Sequence, residues 1–227
     1  YLHKYCEANF LMLYLNTKRV LNNIYRRLYK TFGPQHWWPA RTPLEVIVGA
    51  ILTQNTAWGN VEKAIANLRA ANCLSSRKIR DIPLPRLAKL IRPSGYYNIK
   101  AKRLKSFIDF LFQEYSGSLP QMSKTNLPKL RRQLLTVKGI GPETADSILL
   151  YACKKPVFVI DAYTRRILER HHLMDGNRQY AEVQDIFRRH LCPDTRCFNE
   201  FHALLVRLGK DFCRKKPLCG LCPLKEV

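Results

Sequence analysis

Residues 134–168 read LLTVKGIGPETADSILLYACKKPVFVIDAYTRRIL. Two short helical patterns flank a Gly-Ile-Gly-Pro turn, and Asp161 follows at the end of an apolar run. Leu127, Leu130 and Leu134 make a stripe ahead of the turn; behind it Ala145, Ile148, Leu149 and Ala152 recur at the spacing of one helix face. Pro142 suits the first helical position, where its missing N–H is not needed. Gly139 and Gly141 permit positive φ and close backbone approach to a ligand. Such a turn leaves N–H groups bare at a helix start, where they can hold a phosphate. Asp161 can then act on the gripped nucleotide. The plainer reading of the same residues is a helical hairpin with a glycine turn, followed by an Asp that caps the helix beginning at Ala162.

Composition agrees with a nucleic-acid partner. The chain has 227 residues, 46% of them hydrophobic, which suits one or two domains with a real core and argues against disorder. Lys and Arg number 39 against 17 acids, a formal net charge of +22. That excess favours a polyanion, with nucleic acid ahead of an anionic membrane surface. No apolar run approaches the roughly 20 residues that span a bilayer. Tyr1-Leu2-His3-Lys4 lacks the pattern of a secretory signal. The expectation is a soluble, intracellular monomer, in cytoplasm or nucleoid, with no membrane partner.

Away from the hairpin the periodicity is almost entirely helical. Leu11, Leu15, Val20, Leu21, Ile24 and Leu28 form an imperfect apolar face. Thr42-Pro43 reads as a cap and first helical residue ahead of Leu44, Ile47, Val48 and Ile51. Further helices are centred on Val61–Leu68, Leu87–Ile91, Ala101–Leu111, Val183–Phe187 and Phe201–Leu208. Pro156–Ile160 is a lone apolar run, too isolated to build a sheet. The fold class is all-α, with about ten helices.

These segments together resemble the helix-hairpin-helix DNA glycosylases of the endonuclease III superfamily, from about Trp37 to the C-terminal cysteines. The matching parts are Leu52-Thr53-Gln54-Asn55-Thr56, Arg92-Pro93-Ser94-Gly95-Tyr96-Tyr97-Asn98, Val137-Lys138-Gly139-Ile140-Gly141 and Val159-Ile160-Asp161. The resemblance implies two helical domains flanking a DNA-binding cleft: a central bundle over 40–155, and a second domain made of 1–39 with 156–227. It implies that Asp161 is the essential carboxylate. Gln54, Lys138, Gly139, Ile140, Gly141 and Thr144 would contact double-stranded DNA carrying a damaged base. Gln54 would fill the gap left by an extruded nucleotide, and a monovalent cation often sits at the hairpin.

One departure alters the implied chemistry. Strand-nicking members carry a Schiff-base lysine two residues after the second hairpin glycine, where this chain has Glu143. A carboxylate forms no imine, so a monofunctional enzyme is expected, with Glu143 placed beside Asp161 in the catalytic set. Glu143 equally suits the first turn of a helix through the dipole. Trp37-Trp38-Pro39, Trp58, the Tyr96-Tyr97 loop and Glu143 are similar to the 3-methyladenine branch. There a flipped base is sandwiched between aromatics at the positions of Trp37 or Trp38 and Trp58. A cationic alkylated purine suits such rings, and its weakened glycosidic bond needs little acid catalysis, in keeping with one evident carboxylate and no matched histidine. A thymine or uracil mismatch glycosylase, and a bifunctional endonuclease III-like enzyme, are the alternatives. Arg165 and Arg166 face either phosphate or solvent.

Eight cysteines complete the reading. Cys6, Cys73 and Cys153 are scattered, and Cys192 and Cys197 bracket a short loop. Cys213, Cys219 and Cys222 crowd together, which in an intracellular protein favours metal over disulfide. Their spacing resembles the superfamily's [4Fe-4S] loop, although the first interval is one residue short and the fourth cysteine is not in the sequence. Either the chain continues or a thiolate such as Cys197 substitutes; zinc is the other metal reading. Arg214, Lys215 and Lys216 in this loop suit phosphate.

Overall fold

The computed structural model describes residues 2–225, with side chains from Asn16 onward. Cys6, Leu11 and Leu15 therefore lie outside the described side chains. Among the described residues the fold is helical throughout, with no strand. In chain order the helices are α1 (Leu2–Phe32), α2 (Pro43–Leu52), α3 (Trp58–Ala70), α4 (Ser76–Asp81), α5 (Leu84–Leu90), α6 (Tyr97–Tyr115), α7 (Leu119–Lys124), α8 (Leu127–Thr136), α9 (Pro142–Ser147), α10 (Ala162–Arg170), α11 (Tyr180–His190) and α12 (Thr195–Asp211). A π-helical turn, Ile148–Ala152, prolongs α9. The count exceeds the expected ten because α4 and α7 are only 6 residues each, too short to carry a periodic stripe.

The chain divides into two units, Trp38–Lys155 and Tyr1–Trp37 with Pro156–Val227. In the first, α2 is buried from Leu44 to Leu52, which makes it the central rod that the other helices surround. Thr42 caps it by accepting the Glu45 N–H at 3.2 Å, with Pro43 next, as the sequence indicates. The Glu45 carboxylate, 4% exposed, accepts from the Arg41 N–H at 2.5 Å and from Arg69 of α3 at 2.6 Å. Burial pushes this carboxyl up, but the Arg69 and Arg41 bonds outweigh it and hold it below the usual range. Leu104, Phe107, Ile108 and Leu111 give α6 its inward stripe.

The second unit packs Leu21, Ile24 and Leu28 of α1 with α10, α11 and α12. Its core is aromatic. Phe158 stacks on Phe187 at 3.7 Å and meets Phe198 and Phe201 edge-on. Residues 157–160 are buried without forming a strand, so the apolar run before Asp161 is an anchor strapped into this core. Gln184 donates to the Phe158 carbonyl at 2.7 Å, and the Ile160 N–H donates to the Tyr180 hydroxyl at 3.2 Å, replacing the ladder bonds a sheet would supply.

Candidate active site

The helix-turn-helix formed by α8 and α9 is rigidly tied. Arg131 of α8 donates to both oxygens of Asp146 on α9, at 2.7 and 3.1 Å, and Asp146 is 0% exposed. Between the helices, Gly139 has φ +89°, a conformation that requires glycine, and a Cβ there would lie 2.3 Å from Arg103 Cγ. Gly141 differs from expectation. Its φ is −92°, ordinary extended backbone, and a Cβ would meet nothing within 4 Å. Neither conformation nor internal packing requires this glycine. What a side chain would obstruct is approach from outside, to the first-turn N–H groups of α9 that follow Pro142.

Gln54 and Arg103 complete this corner. Gln54 Nε2 donates to the Gly139 carbonyl at 3.1 Å and to the Thr144 hydroxyl at 2.9 Å, while its Oε1 accepts from Arg103. Gln54 is therefore bound to the hairpin itself, and Thr144, expected at DNA, is 6% exposed with its hydroxyl turned to Gln54. Ile140 is buried beneath the turn, whereas Lys138 and Glu143 are exposed on it. Arg103 is a contributor that sequence reading passed over, because only the packing places it above Gly139.

Behind Gln54 lies a buried lysine. Lys100, 1% exposed, donates to Ser94 O at 2.6 Å, Leu52 O at 2.8 Å and Thr56 Oγ1 at 3.0 Å. Burial, with Arg103 adding repulsion, brings its pKa down to about 8. It staples the loop carrying Gln54 to the loop carrying Tyr96. Tyr96 is held at φ +48° and is 71% exposed, an unusual combination for a tyrosine.

The aromatic pocket takes a different form from the one expected. Trp38 and Trp58 meet edge to face, centroids 5.2 Å apart and planes at 85°, and Tyr151 lies 5.0 Å from Trp38. A base sandwich needs parallel rings roughly 7 Å apart, two stacking distances, so these two rings do not form the slot. They pack instead over Gly49, where a Cβ would lie 3.2 Å from Trp38 Nε1. Trp37 belongs to the other unit, with the Lys210 ammonium 5.4 Å from its ring centre. Pro39 is exposed.

Asp161 both caps α10 and keeps company with a histidine. Its Oδ1 accepts the Thr164 N–H at 2.7 Å, and its Oδ2 lies 3.6 Å from His202 Nε2 on α12. The expectation of a carboxylate without a histidine is thus corrected; the two lie far apart in sequence, and no local motif joins them. Burial pushes the Asp161 carboxyl up, but nearby His202 and the Thr164 bond bring it below the usual carboxylate value. The plain capping role and a charged, desolvated carboxylate coexist at one residue. Arg165 and Arg166 have protein partners. Arg165 donates to Arg178 O at 2.8 Å, and Arg166 to Cys213 O at 2.7 Å and Gly209 O at 3.0 Å.

The thiols fall in two groups. Burial pushes Cys222 up, the Leu224 N–H opposes it, and Cys213 and Cys219 add to the rise, so these three are neighbours. Cys197 is pushed up by burial, then by Asp194 and Cys192, which sets it in a separate group. Arg170 donates to Cys213 Sγ at 3.2 Å and the Leu224 N–H to Cys222 Sγ at 3.4 Å. The donors match iron–sulfur chemistry in kind. Among the described residues, however, no three His, Cys, Asp or Glu side chains converge closely enough to hold a metal ion.

Residues 48–193 match the model of the HhH-GPD superfamily of base excision DNA repair proteins. A protein of Methanocaldococcus jannaschii assigned as a DNA repair glycosylase is 47% identical over 213 residues, covering 93% of this chain and 96% of that one. The crystal structure of H. pylori 3-methyladenine DNA glycosylase bound to 1,N6-ethenoadenine is 30% identical with a TM-score of 0.73, over 86% of this chain and 97% of that one. A trapped endonuclease III–DNA covalent intermediate has a TM-score of 0.79 at 21% identity, over 91% and 93% of the two chains, and shows the shared fold.

Proposed function

This chain belongs to the HhH-GPD superfamily of base excision DNA repair proteins, and from that premise we propose that it is a monofunctional DNA glycosylase for alkylated purines, with Asp161 as its catalytic carboxylate. The observation that carries the reading is the setting of Asp161, an enclosed carboxylate with one oxygen bound at the start of α10 and the other facing His202. Cleaving an N-glycosidic bond builds positive charge on the deoxyribose, and a carboxylate kept charged in a water-poor setting stabilises that charge strongly. It can also orient the attacking water. The hairpin, with Lys138, the open approach at Gly141 and the first-turn N–H groups of α9, supplies the phosphate grip; a monovalent cation would sit among the turn carbonyls. Exposed Tyr96 is the side chain offered to the disturbed base stack, while Gln54 braces the hairpin.

Glu143 supports the monofunctional choice, since it stands exposed in the first turn of α9 where a nucleophilic lysine would be needed. The purine choice is supported by similarity to the H. pylori enzyme and by the partly exposed rings of Trp38 and Trp58, which suit a cationic base. Cys213, Cys219 and Cys222 would be three thiolates of an iron–sulfur cluster with a structural role; the fourth ligand remains to be supplied. Iron and sulfide analysis of anaerobically purified full-length protein tests that assignment. Zinc in place of both would replace it.

A panel of duplexes containing 3-methyladenine, 1,N6-ethenoadenine, uracil opposite guanine and thymine opposite guanine tests the main reading. The alkylated purines should be released, and Asp161→Asn should slow release roughly a hundredfold or more while retaining DNA binding. Release of uracil or thymine alone would reassign the enzyme to mismatched pyrimidines. A borohydride-trapped protein–DNA adduct would make it bifunctional.

A further inference from the structure

His202 is 4% exposed and reaches Asp161 from a different helix. The two side chains are 6% and 13% exposed, and the imidazole Nε2 stands 3.6 Å from Oδ2. One oxygen of the carboxylate is bound to the backbone of α10, and the other faces α12. The ring is steadied by Phe158, edge-on at 6.3 Å between centroids. We propose that His202 is a positioning residue for base excision, holding the enclosed Asp161 carboxylate charged and in one orientation so that it can face the sugar cation. The proposal rests on the catalytic reading of Asp161 given above.

The groups facing this spot come from three helices. α10 contributes the Thr164 N–H and α12 the His202 ring. α11 contributes the Tyr180 hydroxyl, which accepts the Ile160 N–H beside Asp161. Of the other charged side chains on α12, Glu200 accepts the Gln35 N–H at 2.7 Å, Arg207 is paired with Asp211, and Lys210 lies over Trp37. His202 is thus the α12 side chain that stands against the carboxylate, with Nε2 3.6 Å from Oδ2. Without it, the upward push of burial stays and the main opposing influence goes. Asp161 would then take up its proton at a higher pH, and activity would fail earlier on acidification.

The test uses full-length His202→Leu and His202→Gln, each checked for helical content by circular dichroism. Single-turnover release of 3-methyladenine is followed from acid to neutral pH, and the Asp161 carboxyl carbon is titrated by NMR without DNA. In His202→Leu both the carboxyl midpoint and the acid limb of the rate should rise by about one pH unit or more, with the rate recovering toward wild type on the alkaline side. His202→Gln, which keeps an N–H donor but cannot take up a proton, should fall between, and it serves alone where the leucine variant does not fold. An unmoved midpoint, or a loss by the same factor at every pH, would overturn the proposal. Should the midpoint rise while Asp161→Asn still releases bases, the pairing is real and the catalytic reading of Asp161 is what fails.

Discussion

Gly139 and Gly141 stand in one five-residue turn, yet they serve different ends. Gly139 is required by its own backbone, at φ +89°, and by Arg103, whose Cγ would lie 2.3 Å from a Cβ. A methyl group there must displace Arg103 and break its bond to Gln54. Gly141 has neither constraint. Gly139→Ala should therefore lower stability by about 1–3 kcal/mol and also weaken DNA binding. Gly141→Ala should leave stability within about 0.5 kcal/mol of wild type and still weaken binding, because its methyl would meet the phosphate. Chemical denaturation alongside fluorescence-anisotropy titration of a duplex separates the two. Equal destabilisation by both substitutions would show that the turn is strained at both glycines, contrary to the geometry.

At the level of helices, two devices hold the site. α10 starts at the Asp161 cap and, through Arg166 and Arg170, grips the carbonyls that end α12 and open the cysteine loop. α8 and α9 are joined by the Arg131–Asp146 pair. Asp146 is 0% exposed, so removing Arg131 takes two charge-assisted bonds from a carboxylate in the interior. Arg131→Met should cost about 3–5 kcal/mol, and adding Asp146→Leu should recover most of it, since an apolar pair of similar volume often replaces a buried ion pair without loss. A thermal-melt series of the two single variants and the double variant measures this, and failure of the second substitution to restore stability would locate the effect elsewhere. The long helices, the Thr42–Pro43 start and the hairpin were legible in the sequence because each is set by residues within a few turns of one another. The Asp161–His202 contact, the Arg103 cover over Gly139 and the edge-to-face Trp38–Trp58 packing were not. Each is fixed by helices that meet only in the folded chain, and periodicity carries no record of which faces meet. Arg166 illustrates the limit: a basic residue in a basic chain reads as facing phosphate or solvent, while its guanidinium is committed to two backbone carbonyls.

For the molecule as a whole, the net charge of +22 overstates the cations available to DNA. Arg69 and Arg131 are spent on buried carboxylates, Arg166 and Arg170 on carbonyls, Arg188 and Arg189 on Asp185, and Lys100 is sealed inside. On the proposed reading, the basic residues left at the surface, Lys138 on the hairpin among them, would set the electrostatic part of DNA binding. Each phosphate they neutralise releases counterions, so the logarithm of affinity should fall linearly with the logarithm of salt concentration. Lys138→Ala should reduce that slope by about one and weaken binding alike for damaged and undamaged duplexes, without changing which base is released. Titrations of both duplexes at several salt concentrations, read beside the base-release profile, measure the three quantities together. An unchanged slope would remove Lys138 from the phosphate contacts, and a loss confined to damaged DNA would move it from the backbone grip to recognition of the lesion.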